Sequence, residues 1–352
     1  MVNMDVCNGN SLLNTIRPSH PKDMLPRISS TKAKRRRMKM KRKASAFSPS
    51  GISSFFEICD KEVDGTPIKD LARIGARGGG FAFERGVLTN VTVEDSEKTF
   101  IQIYINGHLA PEALTTRKVV EELLKNYGSP CRVLVKHKVA VPIGAGFGTS
   151  AAGALTAALA LNEALNLNLT YNSLAMIAHK AEIECKTGLG TVTALTIGGF
   201  ILTVEPGGPS YALVDRIPIS SDYRLIVGFY GSIYTKEVLA DKKKREAVNA
   251  WGNITLKKIL KNPSLENFLR SCREFARKTG FATQRVEELF KLADEAGAVG
   301  AAQNMVGEAV HAVAYKEDVE RVIEAFNRVL PREKILTGKI EWQGAKLVSD
   351  TE

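Results

Sequence analysis

The stretch from Pro142 to Ala152, Pro-Ile-Gly-Ala-Gly-Phe-Gly-Thr-Ser-Ala-Ala, constrains this chain more than any other. Before it, Val133, Val135, Val139 and Val141 fall on alternate positions, which predicts a strand with one buried face. After it, Ala151 to Leu165 is rich in Ala and Leu with only Thr156 β-branched, which predicts a packed helix. Gly144, Gly146 and Gly148 therefore fall in a turn between a strand and a helix N-terminus. Glycine allows φ > 0 and lets a ligand come close to the backbone. The free N–H groups and positive dipole end of the helix favour an anion. Thr149 or Ser150 can cap that helix or offer a hydroxyl to a phosphate-bound Mg²⁺. Such a loop suits phosphate. No Gly-Lys-Ser/Thr follows, so it is not a Walker A loop, and the Gly-x-Gly-x-x-Gly dinucleotide spacing is absent too. The bland alternative is a Gly-rich turn ahead of an Ala-rich core helix.

The same eleven positions are similar to the Pro-x-x-x-Gly-Leu-Gly-Ser-Ser-Ala-Ala loop of one kinase superfamily. It comprises the galactokinases, homoserine kinases, mevalonate kinases and phosphomevalonate kinases, abbreviated GHMP. Phe147 replaces the usual Leu and Thr149 the first Ser. The resemblance implies that Pro142, Gly144, Ala145, Gly146, Phe147, Gly148, Thr149, Ser150 and Ala151 bind ATP.

The net charge of +11 points at first to nucleic acid or an anionic surface. Its distribution argues otherwise. Residues 1–43 hold 12 Lys and Arg against two Asp, whereas residues 44–352 hold 37 against 36 Asp and Glu. The folded part is nearly neutral, and the basic character belongs to a tail expected to be disordered over residues 1–43. That tail reads as a nucleic-acid or anionic-surface contact, a localisation signal, a merely solvated segment, or sequence upstream of a start at Met38 or Met40. It lacks the apolar run of a signal peptide, and no stretch is long enough for a membrane span. Cys7, Cys59, Cys131, Cys185 and Cys272 are odd in number and widely spaced, without a Cys-x-x-Cys pair. A reduced, cytoplasmic enzyme is the expectation.

From Ala44 to Asp60 a short apolar strand is expected to run into a turn at Pro49 and Gly51, with Ser48, Ser50, Ser53 and Ser54 around it. In Ile74 to Val87, Arg77 and Arg85 flank a Gly triplet, either as solvated arginines around a hairpin turn or as a bidentate grip on an anion. Strands are predicted at 87–94 and 99–105 and a helix at 116–127. In the next predicted helix, 172–187, His179 and Glu182 share a face, and Glu182 with Lys186 has the spacing of a surface ion pair. Beyond Tyr223 come a strand to Tyr230, helices at 236–249, 253–261, 264–278 and 283–295, a strand at 307–314, a helix at 316–329 and β-like runs. A strand, several helices, a strand, a helix and a strand suggest a ferredoxin-like second half.

The GHMP resemblance implies an α+β fold, with a ribosomal protein S5 domain 2-like N-terminal half over 44–222 and a ferredoxin-like half over 223–352. It implies an acceptor pocket around the first strand, with Ser50 and Ser53, and a helix Glu, here Glu182, that binds Mg²⁺ beside Ser150. It also places a third Gly-rich motif at Gly297–Gly300. Phe47 to Ile52, Gly75 to Phe81, Thr187 to Gly190 and Gln303 to Val310 resemble in particular the pantoate kinases of archaeal coenzyme A synthesis. That implies phosphorylation of the primary hydroxyl of pantoate by ATP, with Arg77, Arg85 or His179 available for the acceptor. Thr191 stands where many members carry a catalytic Asp and cannot act as a strong base. Phosphoryl transfer leans on positioning and electrostatics, so the kinase reading survives this change. The partners implied are ATP and a small hydroxy acid, with no specific nucleic acid, no membrane, and a second copy of the chain in a homodimer. A homoserine- or mevalonate-type kinase and a non-catalytic binding protein on the same fold remain the alternatives.

Overall fold

A computed structural model describes residues 41–232 and 242–349. Residues 1–40, most of the expected tail, lie outside them, as does Cys7. Lys41 to Lys43, assigned to that tail above, instead open strand β1 (Lys41–Cys59). There Lys41 pairs with Glu94 at 3.3 Å and Arg42 with Asp95 at 3.0 Å.

β1 does not turn at Pro49. It continues for 19 residues beside β2 (Gly75–Asp95), with register shifts between Pro49 and Ser50 and between Ser53 and Phe55. Such irregularities are where a strand tolerates a residue that has no N–H. The Gly triplet likewise lies inside β2, not in a hairpin turn. The first sheet runs β12-β1-β2-β5-β3-β4, adding β3 (Phe100–Ile105), β4 (His108–Leu109), β5 (Cys131–Val139) and β12 (Lys346–Val348). β6 (Phe200–Glu205) pairs with the Gly-rich start of β2 and carries β7 (Leu213–Arg216). In β5 the buried positions alternate as Cys131, Val133, Val135 and His137, so the predicted period holds with a histidine as its last inward residue.

Helix α2 (Thr149–Leu165) is buried on nearly every side, because α1 (Leu114–Tyr127) and α3 (Tyr171–Glu184) cover what the sheet does not. An Ala-rich helix suits this place, since small side chains let three neighbours approach at once. A short helix, α4 (Thr191–Leu195), follows α3.

The second sheet has the order β11-β8-β10-β9, antiparallel throughout, which is the ferredoxin-like arrangement expected. Its strands are β8 (Tyr223–Ser232), β9 (Gly300–Gln303), β10 (Gly307–Tyr315) and β11 (Ile335–Gly338). Between β8 and β9 lie α5 (Lys242–Lys261), α6 (Leu265–Lys278) and α7 (Gln284–Glu295), and α8 (Val319–Phe326) joins β10 to β11. The helices expected at 236–249 and 253–261 are one helix within the described residues, starting at Lys242.

The two halves share a core. Phe55 and Phe81 from the first sheet meet Phe268 of α6 edge-on, with centroids 6.0 and 5.7 Å apart. The division at 222/223 also fails for the chain's end, because β12 returns to pair with β1.

Candidate active site

The turn between β5 and α2 is built as the glycines require. Gly144, Gly146 and Gly148 have φ of +83°, +79° and +58°, a left-handed region that L side chains enter only with strain. Among the described residues no side chain caps the first turn of α2, because Gly148 occupies the cap position. Its leading N–H groups are therefore open to an anion. The loop is fixed from behind. Phe147 is buried against Phe83, and its carbonyl accepts the Gly51 N–H at 3.0 Å. On the far side, a Cβ on Gly146 would lie 3.0 Å from that of Asn304, and one on Gly307 would lie 2.9 Å from the Ala145 backbone.

The loop forms one wall of a cleft of about 600 Å³. Of the expected nucleotide residues, Gly144, Gly146, Phe147, Gly148, Thr149, Ser150 and Ala151 line it, while Pro142 and the buried Ala145 only shape the loop. Ser150 is exposed on the first turn of α2.

Glu182 faces the cleft from the last turn of α3 and is almost wholly buried. Its Oε2 accepts the N–H of Gly190 at 3.2 Å and of Val192 at 3.4 Å. Gly188 is needed for this approach, since a Cβ there would sit 2.1 Å from Oε1. Burial pushes the carboxyl up to about 7, and those hydrogen bonds oppose only part of the rise. Glu182 makes no ion pair with Lys186; the surface pair of this helix is Glu184 with Lys118 at 2.6 Å. Thr191 opens α4 in the same cleft, and its methyl would meet a Cβ on Gly148 at 2.6 Å and one on Gly51 at 3.0 Å. The Mg²⁺ donor set expected here is one carboxylate and one hydroxyl on the cleft that the glycine loop lines. That fits a cation which takes hard oxygen ligands and keeps most of its sites for water and phosphate.

The acceptor residues fare unevenly. Ser53 and Arg77 line the cleft. The Arg77 guanidinium reaches Glu205 at 3.2 Å and Glu57 at 3.6 Å, in a wall shared with a second groove of about 850 Å³. Arg85 does not reach the cleft, because its exposed side chain donates to the Thr337 carbonyl at 2.9 Å. His179 is also off the cleft wall. It is fully buried, with Nε2 3.0 Å from the Ile74 carbonyl, and burial lowers its pKa. Ser50 is buried as well, and its hydroxyl has no partner among the described residues. Gly297 and Gly300 are not on the cleft either; the first closes α7 and the second packs on Leu269.

Met305 and Val306 line the cleft in their place, and the Met305 N–H donates to the Ser53 carbonyl at 2.7 Å. Beneath them, His311 lies 3.0 Å from the Ser54 hydroxyl and 2.8 Å from the Asn304 amide oxygen. Burial lowers the His311 pKa to about 3, so the ring is neutral. If the Asn304 oxygen accepts from Nδ1, then Nε2 must accept from Ser54. Sequence reading overlooked Met305 and Val306, although the Gln303–Val310 run was itself conspicuous. It also left Lys186, another cleft residue, as a surface partner.

The pattern of the GHMP kinases N terminal domain matches residues 114–199, which include the loop, Glu182 and Thr191. A pantoate kinase of Methanocaldococcus jannaschii is 33% identical over 275 residues, 78% of this chain and 94% of that one. This chain belongs to the pantoate kinase family of the GHMP kinases. A second pantoate kinase, from Thermococcus kodakarensis, is 31% identical over 78% of this chain and 89% of its own. Homoserine and mevalonate kinases match over shorter spans, such as 42% of this chain for a homoserine kinase of Sulfurisphaera tokodaii. A solved structure described as a phosphotransferase related to the coenzyme A biosynthesis pathway superposes with a TM-score of 0.78. It covers 87% of this chain and 98% of its own at 27% identity. A mevalonate diphosphate decarboxylase from Staphylococcus aureus, 16% identical with a TM-score of 0.67, shares the fold. GHMP kinases use ATP. Among the described residues Cys59, Cys131, Cys185 and Cys272 are free thiols, and no helix is long and apolar enough to cross a membrane.

Proposed function

We propose that this kinase transfers the γ-phosphoryl group of ATP to the primary hydroxyl of pantoate, giving 4-phosphopantoate and ADP. The observation that carries the reading is the cleft itself. A loop of left-handed glycines and an uncapped helix N-terminus face a buried carboxylate, in a chain that matches two pantoate kinases over most of their lengths.

The N–H groups of the loop and of the first turn of α2 would hold the phosphates, while Ser150 and Glu182 would hold Mg²⁺. A Mg²⁺ held by these residues would supply charge neutralisation for the phosphates during transfer. Glu182, whose ionised form burial alone disfavours, would be ionised beside such a cation. As the new O–P bond forms, the bond from the γ-phosphorus to the bridging oxygen breaks and ADP leaves. The attacking hydroxyl loses its proton late, to the oxygens of the transferred phosphoryl group and then to solvent, so Thr191, whose side chain hydrogen-bonds Glu182, need not act as a base. Arg77 is the acceptor's carboxylate contact, sharing its fork with Glu57 and Glu205.

ADP release with pantoate, homoserine and mevalonate side by side tests the reading. Pantoate should be turned over fastest, with the product phosphorylated at the primary alcohol; a preference for either other alcohol would overturn it. Glu182→Gln should lower kcat at least 100-fold at saturating Mg²⁺ while circular dichroism stays native. Near-normal turnover in that variant removes Glu182 from the metal site.

A further inference from the structure

Three charged side chains line the cleft among the described residues: Arg77, Glu182 and Lys186. The phosphate loop brings no cation of its own, since Gly144 to Ser150 contains neither Lys nor Arg. A nucleoside triphosphate nevertheless carries about four negative charges, and its transfer moves charge towards the leaving oxygens. Arg77, which also reaches Glu57 and Glu205, is assigned above to the acceptor carboxylate. Lys186 is the remaining cation, and among the described residues no carboxylate pairs with it. Its nearest acidic neighbour in sequence, Glu184, is taken by Lys118.

The backbone places Lys186 deliberately. It has φ +54°, a left-handed conformation costing a non-glycine residue about 1 kcal/mol or more. Glycine would adopt this shape without strain, so a lysine here carries a conformational cost. The turn is closed by the Lys186 N–H on the Ile183 carbonyl and the Thr187 N–H on the Glu182 carbonyl, each at 3.1 Å. It ends α3 two residues beyond Glu182 and leaves Lys186 exposed on the cleft rim.

We propose that Lys186 is a further catalytic residue, whose ammonium contacts the phosphates of bound ATP and stabilises the charge that develops on ADP as it leaves. This rests on the kinase reading above. A compact ammonium on a flexible stem suits a charge that shifts during reaction, and it acts as an electrostatic partner.

The test combines kinetics with nucleotide binding. Lys186→Met should lower kcat/KM for ATP at least tenfold and weaken calorimetric binding of Mg·ADP severalfold, with the KM for pantoate unchanged. Lys186→Arg, which keeps the charge, should recover most of the loss. Unchanged ATP kinetics and ADP affinity in Lys186→Met would overturn the proposal and leave Lys186 as a solvated side chain. A rise confined to the pantoate KM would also overturn it, by assigning the charge to the acceptor carboxylate. ADP binding needs no acceptor, so the two ideas fail separately. Wild-type enzyme inert towards pantoate defeats the substrate reading alone, whereas equal ADP affinity in wild type and variant defeats the role of Lys186.

Discussion

Gly78–Gly80 and Gly144–Gly148 each contribute three glycines to the same cleft, and each uses the missing side chain differently. In the loop the requirement is angular: all three glycines have left-handed φ, and the turn exposes the start of α2. In β2 none of the three does, and the requirement is space. A Cβ on Gly80 would lie 1.8 Å from the Ile52 carbonyl oxygen, and one on Gly78 would lie 2.6 Å from that of Phe55. On the other edge, a Cβ on Gly79 would lie 2.9 Å from the Ile201 carbonyl oxygen. β1 and β6 are thus drawn in on either side of a bare strand, and Phe55, Phe81 and Phe200 fill the core around them. One run shapes a turn that bares a helix start and the other serves the sheet. A Gly-rich stretch therefore does not announce its purpose.

The sharpest way to break this contrast is Gly80→Ala. The new methyl collides with backbone, not with the end of a flexible side chain, so β1 itself must move. We expect a loss of more than about 3 kcal/mol, seen as insoluble protein or a large fall in Tm. A variant that melts within a few degrees of wild type would show that the strand spacing is softer than this comparison claims.

Gly148→Ala probes the other run and should do less to stability and more to activity. Its φ of +58° costs an L residue about 1–2 kcal/mol, and the added methyl meets the Thr191 Cγ2 at 2.6 Å. A tenfold or greater drop in kcat is expected, with Tm lower by only a few degrees. Thr191→Ser in the same chain removes the opposing methyl but not the backbone strain. Part of the activity should therefore return, as a coupling between neighbours. Equal losses in the single and double variants would mean that the turn geometry alone is at fault.

How much of this was legible beforehand follows the same division between local and distant causes. The strand–turn–helix around Gly144 is a local pattern, and so is the ferredoxin-like order of elements; both emerged as read. Glu182 could be placed on a helix face by spacing, but its burial depends on Gly188 and on the N–H groups of Gly190 and Val192 folding back over it. His179 shares that face and still misses the cleft, because its ring is bound to the carbonyl of Ile74, the residue just before β2. The turn expected at Pro49, and the hairpin turn that was one of two readings at the Gly triplet, are absent for one reason. Turn-forming residues inside β1 and β2 are accommodated by register shifts and by close neighbouring strands, which sequence alone does not disclose.

The two arginines that flank the Gly triplet supply the last and smallest effect. Arg77 faces the cleft and holds its fork against Glu57 and Glu205, so Arg77→Lys should raise the KM for pantoate severalfold while the KM for ATP stays put. Eight residues on along the same strand, Arg85 donates one hydrogen bond to the Thr337 carbonyl from an exposed position. Removing an exposed bond of that kind costs about 0.5 kcal/mol, because water replaces the lost donor. Arg85→Ala should therefore leave both KM values unchanged and lower Tm by no more than a degree or two. A specific rise in the pantoate KM with Arg85→Ala would return that residue to the acceptor site. It would also mean that the far end of β2, beyond the triplet, moves towards the cleft when substrate binds, which the packing of Gly338 against Phe83 and Glu84 argues against.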